Sequence, residues 1–296
     1  MSATAATAER TLAPLGRRRA PVTAVESIGA YRLLWVHDAG GPERPRPGQF
    51  YMLAAAGGWG AGRDERPYLP RAFSFARVEP GAAGEGPSLA FMLEEVGPGT
   101  ERLAALRPGE DLWLAGPFGV GFSRAREARP LLVGGGIGVA PVLALSDALG
   151  PDAPVLLGFR SAAHAEAAAL FRSSVAGLVT DDGTAGRGGL VTMLLEEALD
   201  AAGGAPAPGV TATAPPGAAA VRACGPPPML ESVRRLCAER GTRAELAMES
   251  GMACGFGACY GCVVPTRSGY MRLCVDGPVL DAAVLDTAAV AYGAGA

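Results

Sequence analysis

Four cysteines near the C-terminal end constrain this chain more than any other feature. Cys254, Cys259 and Cys262 have the spacing C-x4-C-x2-C, and Cys274 follows on the next segment. Four thiolates with this spacing are typical of the ligands of a plant-type [2Fe–2S] cluster. The glycines between them can adopt positive φ angles, which lets backbone N–H groups point at the sulfur atoms. The sequence therefore predicts a [2Fe–2S] cluster on these four cysteines.

Zinc binding and disulfide bonding are the alternative explanations for these cysteines. Structural zinc sites usually pair two short Cys-Cys spacings, whereas here the first gap is four residues and the fourth cysteine stands alone. Disulfide frameworks belong to small secreted domains. Residues 1–20 are rich in Ala, Thr and Arg and lack the apolar segment of a signal peptide, so we expect a flexible leader there.

Composition limits the classes of function. A chain of 296 residues predicts two or three modules, at about 100–200 residues per domain. The net charge of −3 shows no excess of positive charge of the kind that binds nucleic acid or an anionic membrane. No run of apolar residues in the sequence is long enough to span a bilayer. Six cysteines, four of them expected metal ligands, fit a reducing cytoplasm. We therefore expect a cytoplasmic protein without nucleic-acid or membrane partners.

Residues 21–125 have the pattern of a small antiparallel β-barrel. Six short strand-like segments separated by Gly and Pro are predicted at residues 22–26, 31–37, 47–53, 72–76, 88–94 and 111–115. Strands at such even spacing favour a barrel. One short helix is predicted at residues 100–106.

Residues 126–241 alternate between strands and helices. Strands are predicted at residues 131–133, 155–158, 178–180 and 220–223. Three helices are predicted: one directly after the glycine turn that follows the first strand, one at residues 164–172 and one at residues 191–199. This alternation predicts a doubly wound parallel α/β sheet. Residues 201–217, rich in Ala, Pro and Gly, are interpreted as an irregular surface insertion. Residues 242–296 are assigned to a cluster module and a tail that packs on a neighbouring element.

The glycine turn after the first of these strands is a candidate dinucleotide site. It contains Gly134, Gly135, Gly136 and Gly138, in the order strand, turn, helix. No acidic residue ends the second strand, where Arg160 stands instead, so the choice between NAD and NADP stays open. Asp181 and Asp182 could either cap a turn or line the dinucleotide site.

A second turn is predicted to face the nicotinamide. Cys224, Gly225 and Pro226 follow what we interpret as the last strand of the sheet, and ligands of open α/β sheets lie at the carboxyl ends of the strands. A rigid loop with a buried cysteine is the alternative. Cys237 follows apolar residues at helical spacing and is expected in the core.

Two barrel motifs are candidates for phosphate binding. Arg71 can bind an anion in a bidentate manner, and Ser74 can reach the same ligand, although an arginine on a barrel strand is more often a solvated surface residue. Thr100 lies at the start of the predicted short helix, where N–H groups bind phosphate; an ordinary helix cap is the alternative.

These motifs together resemble those of the ferredoxin–NADP reductase superfamily over residues 21–241. The segment from Glu249 to Cys262, followed by Leu-Cys-Val-Asp-Gly-Pro-Val at residues 273–279, is similar to that of the electron-transfer subunits of NAD-dependent dihydroorotate dehydrogenase. The resemblance implies FAD on the barrel, NAD on the α/β domain and a [2Fe–2S] cluster in the C-terminal module. It also implies a separate FMN-bearing catalytic subunit, with two copies of each chain in the complex.

The resemblance also assigns flavin contacts. They are Arg71, Ala72, Phe73, Ser74, Met92, Leu93, Glu94, Gly99 and Thr100. Two of them depart from the family pattern, because Ala72 stands where a proline is usual and Glu94 where an arginine is usual. Both departures concern individual flavin contacts and leave the four cysteines untouched.

The implied function is electron transfer in pyrimidine biosynthesis. Electrons would pass from the partner's FMN through the [2Fe–2S] cluster and FAD to NAD+, and the chain needs no acid–base residue of its own. No segment is typical of a dihydroorotate site, and three modules leave no room for a (β/α)8 barrel, which takes about 250 residues. The alternatives are a stand-alone or hydrogenase-type NAD(P)H:acceptor reductase and a non-catalytic, metal-stabilised interaction module.

Overall fold

A computed structural model of the chain describes residues 10–60, 67–82, 84–123, 130–203 and 220–290. Over these residues the chain forms a closed β-barrel, a seven-stranded sheet flanked by helices, and a two-stranded hairpin. The predicted combination of an antiparallel barrel and an α/β sheet is confirmed.

The barrel consists of six antiparallel strands. They are β1 (Arg18–Ile28), β2 (Tyr31–His37), β3 (Phe50–Ala55), β4 (Arg71–Glu79), β5 (Ser88–Leu93) and β6 (Asp111–Phe118), in the order β1-β2-β5-β4-β3-β6. The barrel closes because β1 pairs with both β2 and β6. Tyr51 fills its interior and meets the rings of Phe75 and Phe91 edge-on, at centroid distances of 6.4 and 5.6 Å. Helix α1 (Pro98–Ala104) lies between β5 and β6 along the chain.

The sheet holds the second half of the chain. Its strands are β7 (Pro130–Gly135), β8 (Val155–Phe159), β9 (Val175–Thr180), β10 (Arg187–Gly188), β11 (Ala220–Cys224), β12 (Arg243–Ala247) and β15 (Val279–Asp281). Between β12 and β15 the chain forms the separate hairpin, with strands β13 (Val263–Thr266) and β14 (Gly269–Arg272). The helices are α2 (Val139–Leu149), α3 (Ala162–Ala165), α4 (Val191–Gly203) and α5 (Pro227–Glu239). The order is β10-β9-β8-β7-β11-β12-β15, and only β15 is antiparallel to its neighbour.

The sheet extends beyond the strand that we expected to be its last. β12 and β15 lie in the segment that the sequence assigns to the cluster module, yet they pair beside β11. The prediction that the turn at Cys224 ends the last strand is therefore wrong. Cys224 lies instead at the end of a central strand, between β7 and β12.

The helix predicted at residues 164–172 is shorter and divided. The α-helical part is α3, and a 3-10 turn continues over Glu166–Leu170. The backbone N–H of Ala30, in the turn between β1 and β2, donates to the carbonyl of Ala163 at 3.0 Å. A carbonyl engaged by the barrel is less available to the next helical turn, which accounts for the early end of α3.

The two ends of the described chain pack on its body. β1 begins at Arg18, and Thr11 donates its N–H to Gln49 Oε1 at 3.0 Å, so residues 10–20 differ from the flexible leader we expected. At the other end, Ala288 N–H donates to Glu231 Oε2 at 2.7 Å on α5, in line with a packed tail. Residues 204–217 of the predicted insertion lie outside the described residues, whereas 201–203 belong to α4.

No helix in the described ranges is both long and apolar enough to cross a membrane. The helices flank the sheet, and the carboxyl ends of its parallel strands form one edge that faces the barrel and the segment carrying the cysteines.

Candidate functional site

The four predicted metal ligands lie in two pairs. Cys262 and Cys274 are buried, with their sulfur atoms 3.2 Å apart. Cys254 is partly buried, and its sulfur is hydrogen-bonded to that of the exposed Cys259. The segment from Glu249 to Cys262, here called the cluster loop, carries three of the four, and Cys274 approaches from the turn after β14.

Backbone N–H groups of the cluster loop and of Cys274 point at these sulfur atoms. Gly261 N–H donates to Cys259 Sγ at 3.4 Å, and Cys274 N–H approaches Cys262 Sγ at 3.5 Å. Burial raises the pKa of Cys254, but hydrogen bonds from loop N–H groups and from the Cys259 side chain outweigh burial and bring the pKa to about 6. The loop therefore favours the thiolate form of Cys254, and a thiolate is the form that binds metal.

The paired arrangement distinguishes a cluster from a single metal ion. Among the described residues, no three His, Cys, Asp or Glu side chains are placed to hold one ion. A structural zinc ion needs all its ligands around one point, whereas a [2Fe–2S] cluster distributes four thiolates over two irons. All six cysteines are free thiols. The donor set therefore fits a binuclear cluster better than zinc or a disulfide framework.

The cluster loop packs tightly against the barrel. Gly255 has φ +80°, and a Cβ atom added there would lie 2.6 Å from Met52 Cγ on β3. Met52 shares a core cluster with Cys262 and Cys274. On the outer side, Phe256 and Tyr260 are each 63% exposed. The loop thus joins the barrel on one face and presents aromatic side chains to solvent on the other.

A cavity of about 240 Å³ lies where the barrel, the sheet and the cluster loop meet; we call it the barrel-side cavity. The barrel side contributes Ala72, Phe73, Ser74, Met92, Glu94 and Thr100. The glycine turn, α2 and β11 contribute Ile137, Ala140 and Cys224, and the cluster loop contributes Glu249, Ser250 and Met252. Six of the nine predicted flavin contacts are in this lining. A ligand bound here touches all three parts of the protein.

The other three predicted flavin contacts lie behind or beside this lining. Leu93 is fully buried in the barrel core. Gly99 packs against Arg71, since a Cβ atom on Gly99 would lie 2.7 Å from Arg71 Nε.

Thr100, one of the six residues in the lining, also caps a helix. Its Oγ1 accepts from the N–H of Gly97 at 3.2 Å at the start of α1.

A second cavity, of about 310 Å³, opens at the carboxyl ends of the parallel strands; we call it the strand-end cavity. Its lining includes the predicted dinucleotide residues Gly135, Gly136 and Pro226, together with Gly158, Arg160, Asp181, Thr192 and Met229. Gly134 and Gly225 are not among the residues that line it; Gly134 pairs with Cys224 where β7 meets β11. Cys224 itself lines the barrel-side cavity instead.

Gly138 is the closest contact between the glycine turn and β11. A Cβ atom there would lie 2.6 Å from both N and Cα of Gly225. The start of α2 and the turn after β11 can therefore touch only because residue 138 has no side chain. This contact holds the two predicted dinucleotide turns side by side.

Sequence reasoning did not assign Glu249 a role, although it opens the cluster motif. Its Oε1 lies 3.9 Å from Cys224 Sγ, and both side chains line the barrel-side cavity. Burial, followed by the nearby Glu249 charge, raises the pKa of the Cys224 thiol. The sequence signal that could have placed Glu249 beside Cys224 is its position directly after β12, at the same sheet edge. The pairing of β12 with the sheet was not predicted, so this signal was missed.

Glu94 connects the two cavities. It lines the barrel-side cavity, and its Oε1 lies 3.4 Å from His164 Nε2 and 3.9 Å from Arg160 Nη1, while Arg160 lines the strand-end cavity.

Of the two aspartates that could cap a turn or line the dinucleotide site, each takes one of these positions. Asp182 Oδ1 accepts from the N–H of Thr184 at 3.0 Å and caps a turn, whereas Asp181 lines the strand-end cavity.

Comparison with known proteins agrees with this site. The family model for the iron-sulfur cluster binding domain of dihydroorotate dehydrogenase B matches residues 249–286, which include all four cysteines. The chain is 32% identical over 237 residues to the dihydroorotate dehydrogenase B (NAD(+)) electron transfer subunit of Clostridium acetobutylicum, covering 79% of this chain and 83% of that one. The corresponding protein of Geobacillus kaustophilus is 33% identical, with 81% and 86% covered. The chain belongs to the family of dihydroorotate dehydrogenase B electron transfer subunits.

Solved structures show the same fold. The NADH-dependent reduced ferredoxin-NADP oxidoreductase superposes with a TM-score of 0.70 at 20% identity, covering 93% of this chain and 92% of that one. A ferredoxin NADP+ reductase from Neisseria gonorrhoeae with bound FAD and NADP superposes with a TM-score of 0.54 at 18% identity, with 77% and 93% covered. The barrel and the sheet of this member of the dihydroorotate dehydrogenase B electron transfer subunit family therefore have the same fold as these two reductases.

Proposed function

We propose that this chain accepts electrons from an FMN-bearing subunit, which oxidises dihydroorotate, and passes them to NAD+. This electron transfer is part of pyrimidine biosynthesis. The chain does so as an oxidoreductase subunit with a [2Fe–2S] cluster and FAD as its redox groups. The observation that carries the proposal is the lining of the barrel-side cavity. Barrel, sheet and cluster loop all contribute to it, so places for a flavin, a dinucleotide and an iron–sulfur cluster adjoin one another.

The protein's own contribution is binding and placement. Bound FAD supplies the chemistry that joins two-electron to one-electron transfer. Phe73, Ser74 and Thr100 line the cavity in which the flavin would be held. Gly135 and Gly136 offer a side-chain-free surface to the dinucleotide in the strand-end cavity. We assign no residue to acid–base catalysis.

Cys224 and Glu249 lie where the strand ends meet the barrel-side cavity. Because both line the barrel-side cavity at the strand ends, we propose that they contact the nicotinamide end of the dinucleotide beside the flavin. Cys224 lies 3.9 Å from Glu249 and is 2% exposed, so its thiol is shielded from solvent.

We propose a cytoplasmic location and a docking face on the cluster loop. None of the six cysteines forms a disulfide, in keeping with a reducing compartment. Phe256 and Tyr260 are exposed beside Cys259, and exposed aromatic residues are frequent anchors of protein interfaces. Met252, also an anchor candidate by residue type, lines the barrel-side cavity and therefore packs inward.

Association with the FMN-bearing subunit tests the proposal. The two purified proteins should co-elute in gel filtration, and Phe256→Ser should weaken the complex. Leu149→Ser is the matched control, because Leu149 is 40% exposed at the end of α2 remote from the strand-end edge. Alone, the chain should oxidise NADH with an artificial acceptor but leave dihydroorotate unchanged. Failure to co-elute at micromolar concentration would favour the stand-alone NAD(P)H:acceptor reductase.

A further inference from the structure

Arg272 joins the hairpin to the cluster loop. It is the last residue of β14, two positions before the predicted ligand Cys274. Its Nη1 donates to the carbonyl oxygen of Gly257 at 3.3 Å, and its Cζ lies over the ring of Tyr260, 5.2 Å from the ring centre. The side chain is 32% exposed, so water screens its charge only in part. One cation therefore contacts two points of the loop that carries three cluster ligands.

The peptide group between Gly257 and Ala258 connects this cation to one of those ligands. Its carbonyl accepts the hydrogen bond from Arg272, and its N–H, which belongs to Ala258, is hydrogen-bonded to Cys254 Sγ. A hydrogen bond accepted by a peptide carbonyl polarises the group and strengthens the bond that its N–H donates. The charge of Arg272 therefore reinforces an N–H···S bond to a predicted iron ligand.

Gly257 is the residue that allows this arrangement. It has φ +91°, and a Cβ atom added there would lie 2.6 Å from Val275 Cγ2 and 3.3 Å from Arg272 Nη1. Its own N–H is hydrogen-bonded to Cys274 Sγ. Two consecutive N–H groups of the loop thus point at one ligand from each cysteine pair, and the second of them lies in the peptide that Arg272 binds.

Asp276 supplies the opposing charge. Its Oδ2 accepts from the backbone N–H of Arg272 at 2.9 Å and lies 3.7 Å from Arg272 Nε. The carboxylate therefore meets the Nε side of the guanidinium, while Nη1 is directed at the cluster loop. Removing one or the other of these two charges should change the electrostatic potential at the four cysteines in opposite directions.

We propose that Arg272 raises the reduction potential of the [2Fe–2S] cluster by acting through the peptide between Gly257 and Ala258. Reduction adds one electron, and hence one negative charge, to the cluster. Hydrogen bonds to the sulfur atoms and a nearby positive charge stabilise the reduced form. Arg272 thereby makes the cluster a better acceptor for electrons from a partner. This inference rests on the cluster of the proposed function and is independent of the partner's identity.

A potentiometric titration of the anaerobically purified chain, followed by the EPR signal of the reduced cluster, tests the proposal. Arg272→Gln should lower the equilibrium constant for one-electron reduction by about three- to tenfold, which is roughly 30–60 mV at about 59 mV per tenfold change. Arg272→Lys keeps a positive charge and a donor, so its constant should stay within about twofold of wild type. Asp276→Asn keeps an acceptor for the Arg272 N–H but loses the negative charge, so it should raise the constant by about two- to fivefold.

Arg267→Gln is the matched control, because it removes the same charge from the same module. Arg267 is exposed in the turn of the hairpin, at the end opposite to Cys262 and Cys274. Four strand residues separate it from them, about 13 Å at the usual rise per residue. That distance exceeds the Debye length of about 8 Å at physiological ionic strength, so the potential should equal that of wild type.

Iron and sulfide are measured on every sample, because a purely structural role for Arg272 would change the cluster content and leave the potential of the remaining clusters unchanged. A wild-type chain without iron and sulfide would refute the cluster itself, which is a different failure. An unchanged potential in Arg272→Gln with full iron content, or a shift in Arg272→Lys as large as that in Arg272→Gln, would overturn the proposal. If Arg272→Gln loses its cluster, Asp276→Asn decides: a raised potential supports the proposal, and an unchanged or lowered one refutes it.

Discussion

Gly138→Ala tests the contact that holds the two dinucleotide turns together. Gly138 has φ −63°, a conformation that alanine adopts without strain. If space were available, alanine would stabilise the protein by about 0.4–1 kcal/mol, because it restricts the unfolded chain. The structure predicts the opposite sign, because the new Cβ would lie 2.6 Å from Gly225 N and Cα and 2.7 Å from Cys224 C.

These are backbone atoms, so no side-chain rotation relieves the collision. Overpacking of this kind costs about 1–3 kcal/mol. At roughly 2–4 °C per kcal/mol for chains somewhat shorter than this one, Tm should fall by about 2–12 °C. The KM for NADH should rise as well, because the turn that carries Gly225 and Pro226 must move away from α2.

The assay is thermal unfolding followed by circular dichroism, with NADH kinetics on the same samples. Gly57→Ala is the matched control, because a Cβ atom there meets nothing within 4 Å and no positive φ is involved. We expect its Tm to be unchanged or slightly raised. An equal or higher Tm for Gly138→Ala, with an unchanged KM for NADH, would show that the contact between α2 and the turn after β11 is not as described.

Three further predictions follow from the site and the tail. Serine at each cluster cysteine should remove or cripple a centre of two irons and two sulfides, measured by iron and sulfide analysis, whereas Cys237→Ser in the core of α5 should not. Arg71→Ala should weaken FAD retention in gel filtration, because it removes the guanidinium that we predict to bind an FAD phosphate through charge-assisted hydrogen bonds; equal retention would make Arg71 only a surface cation. Hydrogen bonds from Arg234 lower the pKa of Glu231 from 4.5 to about 2. The carboxylate therefore contributes fully to the free energy of unfolding above pH 4.5, and this contribution is lost as the pH falls toward 2. In Glu231→Gln, the free energy of unfolding measured in urea should fall less steeply over this pH range.

The local features of the site could be predicted from the sequence. The spacing of Cys254, Cys259 and Cys262 predicts that their sulfurs share a cluster, and the structure places all three on one loop. A strand, a glycine turn and a helix at residues 130–149 form a local unit. These features depend on residues close together in the chain, where spacing and backbone freedom decide the structure. The six barrel strands were predictable for the same reason.

Features that depend on distant pairing could not be predicted. β15 has three residues and pairs with β12 across the whole cluster loop and hairpin, and no periodicity marks so short a strand. The helix at 164–172 ends early because a barrel turn engages the Ala163 carbonyl. The contact of Glu94 with His164 joins residues 70 positions apart. Each of these is a tertiary contact that overrides the local pattern.

Coupled turnover tests the central claim most directly. The chain, purified anaerobically, is mixed with the FMN-bearing subunit, dihydroorotate and NAD+, and NADH formation is followed. The proposed function predicts NADH formation that requires both proteins and that is abolished by Cys259→Ser, because Cys259 is the exposed ligand on the proposed docking face. Absence of NADH formation with both wild-type proteins, or undiminished turnover with Cys259→Ser, would contradict it.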